Sequence, residues 1–86
     1  MGLQTSFHAP KGHTDFLGLR KTRQGSTEIV YDDGCSHRMV WRVAANGDND
    51  ERISDALQVA VNAIRVLPAL YDELKKRAIS IERIMG

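Results

Sequence analysis

Four side chains of this chain could hold a metal ion: His8, His13, Cys35 and His37. Imidazole and thiolate groups are common zinc ligands, but structural zinc sites use close, recurring pairs such as Cys-x-x-Cys. Here one pair lies in a stretch with Pro and Gly, and the other lies beside a predicted turn. Because this spacing matches no common zinc framework, we expect neither a bound metal nor another cofactor.

Cys35 and His37 could also serve as a nucleophile and its base, because side chains two apart in a strand share a face. No nucleophile motif or oxyanion loop accompanies them, and so short a chain offers no evident substrate pocket. We therefore expect no enzymatic activity, and a metal- or thiol-dependent enzyme is the alternative with least support.

Arg20, Lys21 and Arg23 make the N-terminal quarter of the chain locally basic, although the net charge of the whole chain is only +1. Clustered cations can contact phosphate groups, which gives a small nucleic-acid-binding regulator as the alternative function. The competing interpretation is a solvated basic segment, since no aromatic interleaving or helix-turn-helix spacing accompanies the charges.

The length of 86 residues indicates one small domain. A single cysteine excludes an internal disulfide and fits a reducing compartment. We find no signal-peptide pattern and no long apolar run, so we expect a cytoplasmic protein without a membrane contact.

The elements that must position these residues begin with a β-hairpin. Thr27–Tyr31 and Arg38–Ala44 have strand composition, and Asp33-Gly34 is a strong turn signal between them. Trp41 should face the core with Met39 and Val43. A weaker strand at residues 14–20 would make a sheet of two to three strands, within a single domain of residues 14–86 that follows a flexible arm at residues 1–13.

Apolar residues then recur at alternating spacings of four and three, the pattern of one helical stripe. This pattern predicts a long C-terminal helix from Asp50 to Met85, opened by a capping box of Asp48 and Glu51. At Pro68 the helix would be kinked or fully broken, and the absence of a capping residue immediately before Pro68 favours the kink. The fold class is therefore α+β. The stripe contains Ile53, Leu57, Ala60, Ile64, Leu67, Tyr71, Leu74, Ala78, Ile81 and Met85.

A helix of that length would overshoot a compact domain of this size, which predicts a homodimer. The dimer seam would contain Leu67, Tyr71, Leu74 and Ile81. Side chains outside the seam would then meet a different partner. This partner interface is predicted at Val59, Val66 and Ile79 of the helix and at Arg38 and Arg42 of the hairpin.

Residues 59–77, VAVNAIRVLPALYDELKKR, resemble a recurrent ending of short phage and prophage accessory proteins: an Ala-rich helix, Leu-Pro-Ala-Leu, and a charged helical tail. The chain departs from that ending at Ile64, where Arg is common, and at Tyr71, where Leu is common. The resemblance implies a phage-encoded protein, of the anti-CRISPR type, that binds a host or defence complex in the host cytoplasm. We therefore expect a non-enzymatic protein-binding module.

Overall fold

The computed structural model of the protein describes residues 3–10, 12–44 and 49–86. Five strands form one sheet, and two helices lie between the fourth and fifth strands in the chain. The elements are β1 (Thr5–His8), β2 (Phe16–Lys21), β3 (Thr27–Asp32), β4 (Arg38–Val43), α1 (Asp50–Val61), α2 (Val66–Lys76) and β5 (Ile81–Met85).

Every neighbouring pair in the sheet is antiparallel, and the strands lie in chain order from β1 to β5. Leu19, Ile29 and Trp41 lie opposite one another on β2, β3 and β4. All three belong to the core that the sheet shares with the helices. As predicted, Trp41 and Val43 are buried there and Met39 packs against them.

The predicted fold class needs correction at two points. The sheet has five strands instead of two to three, and the single long helix is two short helices followed by a strand. The β3–β4 hairpin does form around Gly34, which takes a φ of 82°. That left-handed conformation suits glycine because it has no Cβ.

The first break in the predicted helix follows Val61. Asn62 caps α1, and its side chain donates to the carbonyl of Gln58 at 2.9 Å. Arg65 is extended at the start of α2, so Pro68 lies in the first turn of a new helix. Because first-turn amides have no partner within the helix, Pro68 costs no hydrogen bond there. The proline follows a break in the helix and produces no kink.

The second break follows Lys76. Ile79 N donates to the carbonyl of Leu74 at 2.9 Å, and Ala78 N donates to that of Lys75 at 3.0 Å. These two bonds, with a positive φ of 56° at Ala78, form a Schellman motif. The motif turns the chain away from the helix and brings Ile81–Met85 alongside β4.

Ala78→Gly should therefore stabilise the protein by about 0.5–1 kcal/mol. A left-handed alanine costs roughly 1–2 kcal/mol, and the greater freedom of glycine in the unfolded chain offsets part of the gain. Urea unfolding followed by circular dichroism measures the difference. Ala69→Gly in the body of α2 is the control, and we expect it to destabilise by about 1 kcal/mol.

The N-terminal segment also differs from the predicted flexible arm of residues 1–13. Thr5–His8 form β1 and pair with β2, with Phe7 opposite Leu17. Leu3 lies over Gly18, where an added Cβ would be 2.7 Å from Leu3 Cδ1. The domain boundary that we expected before residue 14 therefore falls between two paired strands.

The two helices cover one face of the sheet. Asn49 caps α1 by accepting from Arg52 N at 2.8 Å, while the predicted cap residue Asp48 lies outside the described residues. The Arg52 guanidinium donates to the carbonyl of Arg77, which ties the start of α1 to the end of α2. Neither described helix has the length and apolar composition needed to cross a membrane.

Candidate functional site

The turn between α1 and α2 and the two helices beside it carry exposed apolar side chains. Ile64 is 90% exposed, Val59 47% and Tyr71 43%, and the ring of Pro68 is exposed as well. We call Val59, Ile64, Pro68 and Tyr71 the helix-turn surface. Single exposed apolar residues are ordinary on proteins, but grouped ones mark interaction sites.

The backbone beneath this surface is held by local hydrogen bonds. Ala63 N donates to the carbonyl of Ala60 at 3.0 Å, and Ala69 N donates to that of Arg65 at 3.2 Å. Val61 and Val66, on either side of the turn, are buried in the core. Ile64 thus lies in solvent on a short connection between two anchored helix ends.

Tyr71 connects the helix-turn surface to the core. Its ring meets Trp41 edge to face, with centroids 5.9 Å apart and planes at 88°. Trp41 is 2% exposed, so part of the Tyr71 ring is packed against the core while much of it remains accessible. An aromatic ring held in this way loses little freedom on binding a partner.

The five residues of the predicted partner interface do not lie together. Val59 is on the helix-turn surface, whereas Val66 and Ile79 are 4% and 5% exposed and belong to the core. Arg38 and Arg42 are exposed on β4. Their register with Asp32 and Glu28 places them on the sheet face opposite the helices. Burial removes Val66 and Ile79 from any partner surface.

The predicted dimer seam is also divided. Leu74 is buried in the core of the single chain, Leu67 is partly buried, and Tyr71 is exposed. Ile81 belongs to β5 and lies opposite Val43, so it is not on a helix. The helix continuity on which the predicted seam depended is absent from the described part of the chain.

The sheet face away from the helices carries a row of alternating charge. Arg20, Glu28, Arg42 and Glu82 lie opposite one another on β2, β3, β4 and β5. Arg20 Nε donates to Glu28 Oε1 at 2.7 Å, and Arg42 Nη2 lies 3.9 Å from Glu28 Oε2. Because the Glu28 side chain is only 7% exposed, its buried charge needs a partner. These two arginines compensate it.

The three predicted nucleic-acid-binding residues lie around the β2–β3 turn. Arg20 is paired with Glu28, and Lys21 Nζ lies 2.9 Å from Asp50 Oδ1 at the start of α1. Arg23 is exposed, and no ion pair is seen for it among the described residues. All three side chains thus lie beside one turn. The carboxylates that pair with Arg20 and Lys21 belong to β3 and α1, so no local sequence pattern predicts these ion pairs.

The β3–β4 turn holds Cys35 and His37, the candidate thiol and base. Asp33 Oδ1 accepts from the backbone nitrogens of Cys35 and His37 at 2.8 and 3.1 Å. Asp33 Oδ2 lies 3.0 Å from His37 Nδ1. The bond from Cys35 N, then that from His37 N, lowers the pKa of Asp33 below its usual value. These contacts give the carboxylate a role in closing the turn.

The candidate metal ligands are spread over one strand and two connections between strands. His8 stacks on Phe16 in the adjacent strand, with ring centroids 5.6 Å apart. His13 lies in the β1–β2 connection, and Cys35 is an exposed free thiol. Within residues 3–10, 12–44 and 49–86, no three His, Cys, Asp or Glu side chains are grouped to hold a metal ion.

Sequence reasoning missed Ile64 as a surface residue because its position continues the four-three spacing of the stripe. Asn62 was the available signal, since asparagine forms helices poorly and favours helix ends. A helix that ends at Asn62 puts Ile64 in the connection and Pro68 within the first turn of the next helix.

Comparisons of the chain with protein-family models, with curated proteins and with solved structures found no match.

Proposed function

We propose that this protein is a non-enzymatic protein-binding module that recognises its partner through the helix-turn surface. The observation that carries the proposal is the 90% exposure of Ile64 on a turn that hydrogen bonds hold in place. Val59 on α1 and Tyr71 on α2 are further exposed apolar side chains on the two helices that the turn joins. A partner with an apolar cleft would take Ile64 as its central anchor.

The energy available at this surface supports such a role. Full burial of an isoleucine side chain contributes roughly 1.5–3 kcal/mol. The local bonds at Ala63 and Ala69 anchor the helix ends on either side of the turn, which limits the backbone entropy lost on binding. Ile64 and the ring of Tyr71 together have the chemistry of an interface hot spot.

The resemblance of residues 59–77 to phage accessory proteins favours a phage-type inhibitor, anti-CRISPR-like, whose partner is a host or defence complex in the cytoplasm. The helix-turn surface lies inside that segment, at Val59, Ile64, Pro68 and Tyr71. The predicted homodimer would use the same surface. Light scattering of the pure protein would detect it.

The test is capture of partners from a host-cell lysate by the immobilised protein, with the bound proteins quantified by mass spectrometry. Ile64→Asp should lower capture of the specific partner at least about tenfold, because it replaces the apolar anchor with a hydrated charge. Ile84→Asp makes the same change on β5, where Ile84 is 39% exposed, and should leave capture unchanged.

Circular dichroism should first show that both variants are folded. Equal capture by wild-type protein and Ile64→Asp would refute the proposal. Loss of capture with Ile84→Asp alone would place the interface on the sheet edge instead.

A further inference from the structure

We propose that the cavity beside the β2–β3 turn binds the backbone phosphates of a nucleic acid. The cavity has a volume of about 320 Å³. It is lined by Arg20, Lys21, Thr22, Arg23, Gln24 and Glu28. This site is separate from the helix-turn surface, and its occupancy does not depend on the proposed protein partner.

The charge around this cavity is positive after its ion pairs are counted. Lys21 is paired with Asp50, and Arg20 and Arg42 share Glu28. Glu82 also lies opposite Arg42 on β5, so these three cations face three carboxylates. Exposed Arg23 adds a fourth cation, which leaves an excess of one positive charge. The excess favours an anionic ligand.

Glu28 fixes the arginine that would make the most directional contact. It accepts from Arg20 Nε at 2.7 Å, which leaves both terminal guanidinium nitrogens of Arg20 outside that bond. A guanidinium presents paired donors that match the oxygens of a phosphate. The Glu28 side chain is 7% exposed and that of Arg20 is 26% exposed, so the carboxylate is shielded while part of the arginine meets solvent.

Neutral donors complete the site. Thr22 Oγ1 accepts from Ser26 N at 3.0 Å, so its hydroxyl hydrogen can be donated to a ligand. Gln24 is exposed beside Arg23 and offers an amide donor. A phosphate oxygen could therefore meet side chains of two chemical types, as in common nucleic-acid backbone contacts.

The exposure of the turn favours a polymer over a small phosphorylated metabolite. Small-ligand sites bury most of the ligand surface. Here Arg23, Gln24 and Gly25 are all exposed and leave the cavity open to solvent. A backbone that passes across the turn could place one phosphate in the cavity and the next beside Arg42, which is also exposed.

The experiment is a fluorescence-anisotropy titration of a labelled single-stranded oligonucleotide of mixed sequence with the full chain. With about three cations engaged, affinity should fall about 18-fold as salt rises from about 50 to about 200 mM. Arg23→Gln should weaken binding by about three- to tenfold and reduce the salt slope by about 0.7. Lys75→Gln, at an exposed position on α2, removes the same charge and should change neither quantity.

A phosphoserine peptide and inorganic phosphate are titrated as competitors of the labelled oligonucleotide. Displacement by either at lower concentration than by unlabelled oligonucleotide would overturn the nucleic-acid assignment. Equal effects of Arg23→Gln and Lys75→Gln, or no binding at about 50 mM salt, would also overturn it.

Discussion

Leu74→Asp should unfold the protein. Leu74 is 2% exposed in α2 and packs in the core shared by the helices and the sheet. The substitution removes a buried leucine, which costs about 2–5 kcal/mol, and adds a carboxylate that must lose its hydration or become protonated. A loss of that size consumes most of the stability of a domain this small. Circular dichroism should show a largely unfolded chain at room temperature.

Ile64→Asp is the matched control for this result. Both positions belong to the apolar stripe in the sequence, but Ile64 is 90% exposed, so its replacement should change the free energy of unfolding by no more than about 0.5 kcal/mol. If Leu74→Asp instead stayed folded and only dissociated an oligomer, Leu74 would lie in a dimer seam and the helix arrangement described above would be wrong.

Trp41→Ala should destabilise the protein by about 3–5 kcal/mol. Trp41 is 2% exposed, lies between Ile29 and Arg83 in the sheet register, and supports the ring of Tyr71. Because Trp41 is the only tryptophan, urea unfolding must be followed by circular dichroism and not by tryptophan fluorescence.

Tyr71→Ala is the comparison for the Trp41 variant. It removes a ring that is 43% exposed and in edge-to-face contact with Trp41, so we expect a smaller loss, about 1–2 kcal/mol. A Trp41→Ala protein as stable as the wild type would contradict the described core.

The parts of the fold that could be predicted are those with local causes. The β3–β4 hairpin follows from β-branched and aromatic residues at Thr27–Tyr31 and from the turn at Asp33-Gly34. Trp41 was correctly expected in the core because strand alternation places it with Met39 and Val43. Each of these signals lies within a few residues of the structure that it predicts.

The missed elements depend on distant partners. Residues 81–85, IERIM, fit the helical spacing as well as they fit a strand, and their pairing with β4 decides the outcome. Ala78 forms the turn before them in a conformation that alanine rarely adopts. β1 likewise has few apolar residues and forms by pairing with β2.

The length of the predicted helix, compared with the size of a domain of 86 residues, argued against a single straight helix. Residues 50–85 in one straight helix would span about 50 Å. The longest dimension of the described structure is 35 Å, and its radius of gyration is 11.9 Å. Dimerisation could have covered the excess length. The chain instead folds this segment into α1 and α2, which pack on the sheet, and β5, which joins the sheet.

The predicted site residues end in different environments in the fold. Val59 lies on the helix-turn surface, but Val66 and Ile79 were assigned to a surface because they fall off the stripe of a continuous helix. Once the helix is broken, that assignment fails. Arg20, Lys21 and Arg23 lie beside one turn because they are close in the sequence, and their binding of nucleic acid stays a prediction. Their partners Glu28 and Asp50 follow from strand register and helix docking, which composition does not reveal.

Hydrogen–deuterium exchange of the protein bound to its captured partner tests the central claim most directly. Our account predicts slower exchange in the complex for residues 59–71, which carry the helix-turn surface. Peptides from β2 and β4 should exchange as in the free protein when nucleic acid is absent. Slower exchange in β4 or β5 with unchanged exchange at residues 59–71 would contradict the claim that the partner binds the helix-turn surface.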